Sequence, residues 1–221
     1  MYGPTGATVA APTTSLPEWI GGTRNWDYRY TWVRDAALTL RAANLIGYPQ
    51  EARDFYHFIR DAVDADHGLE LMYTLDGGAV PDESELGHLR GAFGSAPVRI
   101  GNGARDQVQL DTTGAVVDAA HLFERFGGTL PLRAWHKVAA IIEDAEQTWE
   151  SPDHGIWEPR TGKRHNVHSK VMNWLAMDRG AQLARGGEEV EQLRRVKVPV
   201  ADVRADLHAL QVELVHAALQ L

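Results

Sequence analysis

Apolar residues recurring three and four apart, in stretch after stretch, restrict this chain to a fold built mainly from helices. Trp26, Tyr30, Val33, Ala37, Leu40 and Leu45 keep that spacing and predict a first helix, closed by Gly47-Tyr-Pro49 with glycine at its end and proline beyond. A second helix is predicted over 49–63, with Phe55, Phe58, Ile59 and Val63 on one face. The rhythm then breaks. Residues 68–78 (GLELMYTLDGG) are short, mixed and end on a turn signal, so a strand or extended loop is predicted. Residues 79–104, rich in glycine and proline, predict a long ordered loop, a kind of segment that often carries function. Helical spacing returns over 106–126, 131–149 and 168–184, with a loop over 151–166, and a last amphipathic helix is predicted over 200–221. Six helices joined alternately by short turns and long loops give an all-α fold with the rhythm of stacked hairpins and one short strand or hairpin inserted.

The 221 residues suit one or two domains, and one is the simpler reading: 1–13 as a linker or flexible start, 14–221 as the domain. A hydrophobic share of 44% beside 24% charged residues excludes disorder as a description of the whole. With 30 acidic against 22 basic residues, the net charge of -8 argues against nucleic acid as a partner. No apolar run approaches the roughly 18 residues of a membrane span. The absence of cysteine excludes disulfides, a thiolate nucleophile and cysteine-based zinc sites, and fits a reducing cytoplasm. Residues 1–15 have neither the basic nor the apolar region of a secretory signal, so a cytoplasmic location is expected. Seven tryptophans are more than a chain of this length usually holds, and several are expected in a core or a ligand cleft.

Three stretches could carry chemistry. GGTRNWDYRYTWVRD, residues 21–35, crowds three arginines, two aspartates, an asparagine and four aromatics where a helix is predicted to begin. A pyranose has an apolar face and a rim of hydroxyls, which such a mixture can bind; a buried ion pair among core aromatics uses the same residues. Arg34 and Asp35 point about 100° apart in a helix, so both can reach one ligand only if the helix terminus faces the cleft. DHGIWE, residues 153–158, sets Glu158 beside Trp157. Desolvation there would raise the carboxyl toward the range of a general acid, while an exposed loop glutamate is the plainer alternative. IGNGARDQVQLD, residues 100–111, offers Asp106, Gln107, Gln109 and Asp111, with helix capping by Asp106 as the competing use. Gly101-Asn-Gly103 lacks the pattern and the feeding strand of a phosphate cradle, and no serine sits in a nucleophile elbow. His165 and His168, with His154 nearby, have metal-like spacing but no carboxylate at a fixed offset, so no metal is expected. Glu188, Glu189 and Glu191 read as a solvated helix start.

Taken in order, Thr14-Ser-Leu-Pro-Glu-Trp-Ile-Gly-Gly22, Arg24-Asn-Trp-Asp-Tyr-Arg-Tyr30, Trp32-Val-Arg-Asp35, Pro97-Val-Arg-Ile-Gly-Asn102, Asp106-Gln107, Gln109-Leu-Asp111, Gly155-Ile-Trp-Glu158 and His168-Ser-Lys-Val-Met172 resemble family 15 glycoside hydrolases, the glucoamylase, glucodextranase and bacterial trehalase group. The likeness runs from about residue 13 to 185. It implies an (α/α)6 barrel of twelve helices, of which this chain would hold about the first half, and inverting hydrolysis of α-glucosidic bonds. The substrate would be an α-1,4-glucan, an isomalto-type glucan or trehalose. It further implies Glu158 as general acid, Arg34 and Asp35 on the hydroxyls of the terminal glucose, Trp32, Ile156 and Trp157 shaping that subsite, and Gln107 and Lys170 as further binding residues. No cofactor is implied. The family's general base is a second glutamate in a later motif, which nothing in 186–221 resembles. The chain is therefore expected to be an N-terminal portion of a catalytic domain, inactive alone and completed by a C-terminal half-barrel or a homo-oligomer. The competing expectation is a non-catalytic carbohydrate-binding or assembly module.

Overall fold

The computed structural model describes residues 1–64 and 69–186. Five helices carry it: α1 (Ala36–Leu45), α2 (Pro49–Asp64), α3 (Asp111–Arg125), α4 (Leu132–Thr148) and α5 (Val167–Gly186). The helix predicted over 200–221 lies outside the described residues. Instead of one short strand insertion there are two antiparallel pairs, β1 (Thr31–Trp32) with β2 (Met72–Tyr73), and β3 (Ser84–Glu85) with β4 (Arg99–Ile100).

Two predicted helix starts are corrected. The first helix begins at Ala36, not at Trp26, because long-range hydrogen bonds hold residues 25–30 extended. Buried Asp27 accepts from the Arg29 guanidinium (2.8 Å), the Tyr30 hydroxyl (2.9 Å) and the Gly101 amide (3.2 Å). Burial works to raise this carboxyl, but the Arg29 and Tyr30 bonds outweigh it and hold the pKa below the usual carboxylate value. Buried Asn25 donates to the Gly22 and Pro97 carbonyls. The third helix begins at Asp111 rather than 106. Asn102 caps a 3₁₀ turn, Gly103–Asp106, after which Gln107 is extended (φ -80°, ψ 145°).

Residues 1–13, expected as a linker, lie against the domain instead. Ala7 is fully buried in the main core, Thr5 donates to the Leu75 carbonyl, and the amides of Ala10 and Ala11 donate to the Tyr30 and Tyr28 carbonyls.

Short turns join α1 to α2 and α3 to α4. Each first helix of a pair stops on a glycine in the left-handed region, Gly47 (φ 90°) and Gly127 (φ 87°), where a side chain would be strained. The long connections gather at the opposite end, where α1, α3 and α5 begin. Helix α3 is the hub, packing against α1, α2, α4 and, most extensively, α5. Eleven of its residues are buried, polar Asp111, Thr112 and Thr113 among them, so it is enclosed rather than amphipathic. Its closest approach is to α5, where Gly114 faces the Met172 carbonyl. Over the loop end lies a second small core of Tyr30, Trp32, Leu71, Met72, Val80 and Ala104. No helix among the described residues is long and apolar enough to cross a membrane.

Candidate active site

The polar cluster at the loop end is held by two pieces of backbone. The first is the 149–166 connection. Buried Asp153 accepts from the Leu110 amide (3.0 Å), the Ser169 hydroxyl (2.6 Å) and the Asn166 amide group (2.8 Å), tying this loop to the starts of α3 and α5. Asp153 and Arg164 also exchange backbone hydrogen bonds, folding the loop back on itself and presenting residues 155–158. The second is the passage from β1 into α1 through a 3₁₀ turn, Val33–Asp35. That turn resolves the divergence expected of neighbouring residues in a helix. Trp32, Arg34 and Asp35 all reach the same region.

Glu158 is their meeting point. Its Oε1 accepts from Trp32 Nε1 at 2.7 Å and from Arg34 Nη1 at 3.1 Å. No hydrogen bond among the described residues engages Oε2. Arg34 also reaches the Ile156 carbonyl (3.1 Å), Gln109 Oε1 (3.3 Å) and Asp35 Oδ1 (3.3 Å). Burial works against the guanidinium's charge, yet the carboxylates of Asp35 and Glu158 win and raise its pKa. Gln109 donates to Gln107, which donates to the Pro159 carbonyl, so the network closes on the residue after Glu158. Tyr28 lies beside it, its ring 6.0 Å from that of Trp32. Its hydroxyl pKa is raised by burial and then by Glu18 and Glu158.

Of the residues singled out in the sequence, Trp32, Arg34, Asp35, Gln107, Ile156 and Glu158 are brought together. Trp157 is 89% exposed, so the shielding expected from it is not found; the groups against Glu158 are Trp32 and Arg34. Lys170 is engaged elsewhere, with its ammonium donating to the carbonyls of Trp149 and Ser151 past the end of α4. His154 binds the Val108 amide and His168 approaches Asp111, and no three His, Cys, Asp or Glu among the described residues are grouped to hold a metal.

Two further residues of the 100–111 stretch join the cluster. Gln109 contacts Arg34, and Asp111 lies fully buried behind it, neither carboxylate oxygen having a hydrogen-bond partner among the described residues. His168 Nδ1 comes to 3.4 Å from Asp111. Burial dominates and raises this carboxyl despite the pull of His168 and Arg34. The sequence offered both in that stretch; Gln107 is extended, and the turn at Leu110 (φ -73°, ψ -11°) then brings Asp111 in at the start of α3.

The description "Glycosyl hydrolases family 15" belongs to a family model that matches residues 1–212. A trehalase of Mycolicibacterium smegmatis is 41% identical over 96% of this chain and 32% of its own length. A trehalase of Thermoplasma acidophilum is 45% identical over 84% of this chain and 32% of its own. Trehalase 1 of Sulfolobus acidocaldarius is 38% identical over 91% of this chain and 35% of its own. The chain thus spans about a third of the length of these curated relatives. No solved structure matches it significantly.

Proposed function

The chain belongs to glycosyl hydrolase family 15, and from that premise we propose that its site serves the inverting hydrolysis of an α-glucosidic bond, with trehalose as substrate and Glu158 as general acid. The observation that carries this reading is the convergence of Trp32 and Arg34 on one oxygen of Glu158, which orients the carboxyl and leaves Oε2 for the proton the leaving oxygen needs. The relatives named trehalase support the choice of substrate. Arg34 and Asp35 (52% exposed) grip hydroxyls of the terminal glucose, Trp32, Ile156 and Trp157 shape its subsite, and Gln107 binds through the same network.

Inversion requires a second carboxyl roughly 6.5–9.5 Å from the acid, with a water between. Asp111 is closed to solvent and cannot serve a water, and Asp35 is paired with Arg34, so the base is proposed to lie outside the described residues. The five helices are read as part of an (α/α)6 barrel. Leu38, Leu45 and Ile46 on and just after α1, 72%, 73% and 71% exposed, support further helices packing there, from the same protein or a second copy.

The test is glucose release from trehalose, maltose and maltotriose by the 221-residue chain, with Glu158→Gln as control and glucose binding measured beside it. Turnover lost in the variant, with β- and α-glucose first released in equal amounts from trehalose, supports acid and inversion together and brings the base within this chain or a second copy of it. Glucose binding without turnover fits a base elsewhere. Turnover that survives Glu158→Gln, or α-glucose as the sole anomer first released from trehalose, overturns the reading.

A further inference from the structure

We infer that Glu83 and Arg160, clasped beside Trp26, are positioning residues that hold the acid-bearing loop in its working shape; the inference rests on the reading of Glu158 above. Glu158 itself has φ 51°, a left-handed backbone that a residue with a side chain adopts only when its surroundings impose it. On its N-terminal side the imposing contact is Arg34 on the Ile156 carbonyl. On its C-terminal side the chain is caught twice within two residues. Gln107 holds the Pro159 carbonyl, and Arg160 Nη2 donates to Glu83 Oε2 at 2.6 Å.

The clasp is more than an exposed ion pair, which would contribute little. Glu83 Oε2 also accepts the Gly103 amide at 3.0 Å. The Arg160 guanidinium lies 4.5 Å from the Trp26 ring centroid and against Gly103, where even a Cβ would come within 2.8 Å of Nη1. Arg99 adds a second cation, 3.5 Å from Glu83 Oε1 and 4.8 Å from the same ring. Burial works to raise the Glu83 carboxyl, but Arg160 and the Gly103 amide outweigh it, keeping the charge that the clasp needs. Glu83 precedes β3 in a loop 77 residues from Arg160, so the contact joins two loops that the helices leave independent. Fixing Arg160 fixes the direction in which the chain leaves Glu158, and with it where Oε1 meets Trp32.

The indole N–H of Trp32 reports that meeting without any turnover. In the isotope-labelled full chain its resonance, assigned with Trp32→Phe, should lie downfield and move upfield in Glu158→Gln. Glu83→Gln and Arg160→Gln should each move it upfield too, although neither residue touches Trp32, while the buried Trp135 indole stays in place as a reporter of folding. Because the two act as one clasp, the double variant should move Trp32 no further than either single one. An unmoved Trp32 resonance, or additive shifts, overturns the inference. If Arg160→Gln fails to fold, Arg160→Lys, which keeps the charge and loses the flat contact with Trp26, must still give a smaller shift in the same direction, and no shift overturns it. Turnover that survives Glu158→Gln with these shifts intact would remove the acid role and leave the clasp standing.

Discussion

Replacing Gly114 with alanine probes the packing on which the site stands. A Cβ there would lie 2.3 Å from the Met172 carbonyl oxygen and 2.8 Å from its carbon, about 1 Å short of the 3.4 Å at which ordinary contact begins. The obstacle is α5 backbone, which has no rotamer to move into, so the two helices must part. Overpacking of this kind costs about 1–3 kcal/mol, and with backbone in the way the upper half applies. Alanine's better helix propensity offsets about 1 kcal/mol. The net loss is about 1–2 kcal/mol, and far-UV circular dichroism should show Tm falling by roughly 2–8 °C for a chain of this size. Gly180 in α5 supplies the control. Its Cβ would also meet an atom at 2.3 Å, but that atom is Cδ1 of Ile142, the tip of a side chain. Rearranging it costs about 0.5–1.5 kcal/mol, close to what the helix gains, so Gly180→Ala should leave Tm within roughly 2 °C. Equal losses at the two positions, or a Tm raised by Gly114→Ala, would refute the claim that backbone contact sets the α3–α5 distance.

Asp111→Asn should stabilise the chain near neutral pH. Burial raises the folded pKa above 3.8, so the wild-type contribution is complete below that value and is lost as pH rises through the folded one. The advantage of asparagine in thermal unfolding should therefore shrink as pH falls toward 3.8, and a constant difference across pH would contradict the assignment. Asp35→Ala removes one charged acceptor for a sugar hydroxyl, worth about 1.5–3 kcal/mol, and should weaken glucose binding roughly 10–100-fold by calorimetry; unchanged affinity would end that role. Lys170→Met should lower stability by about 1–2 kcal/mol through its lost bonds to the Trp149 and Ser151 carbonyls and leave glucose affinity unaltered. The reverse pattern would return Lys170 to the sugar site.

Helices α2, α4 and α5 were legible to within two residues, because a single apolar period and flanking proline or glycine define them; α4, predicted over 131–149, runs Leu132–Thr148. The starts of α1 and α3 were not. Trp26 and Tyr30 keep helical spacing with Val33, yet what shapes residues 25–30 are Pro97 and Gly101, more than seventy positions away and invisible to any local pattern. The same error misplaced Gln109 and Asp111, which a helix drawn from 106 puts inside it, whereas Gln107 is extended and α3 starts only at Asp111. Glu158, Arg34 and Trp32 stood out through the order of the short motifs that contain them. The engagement of Lys170 was not legible, because it depends on where the carbonyls just past the end of α4 come to rest.

Helix α3 begins inside the polar cluster around Glu158 and is enclosed along its length by four other helices. Its amide protons should therefore exchange with solvent only through opening of the whole helical unit, at the slowest rate in the molecule. The Gln109–Asp111 edge of the cluster is anchored to that most protected segment and has no separate, cheaper route to disorder. Sugar binding and helical structure should then disappear at one and the same denaturant concentration.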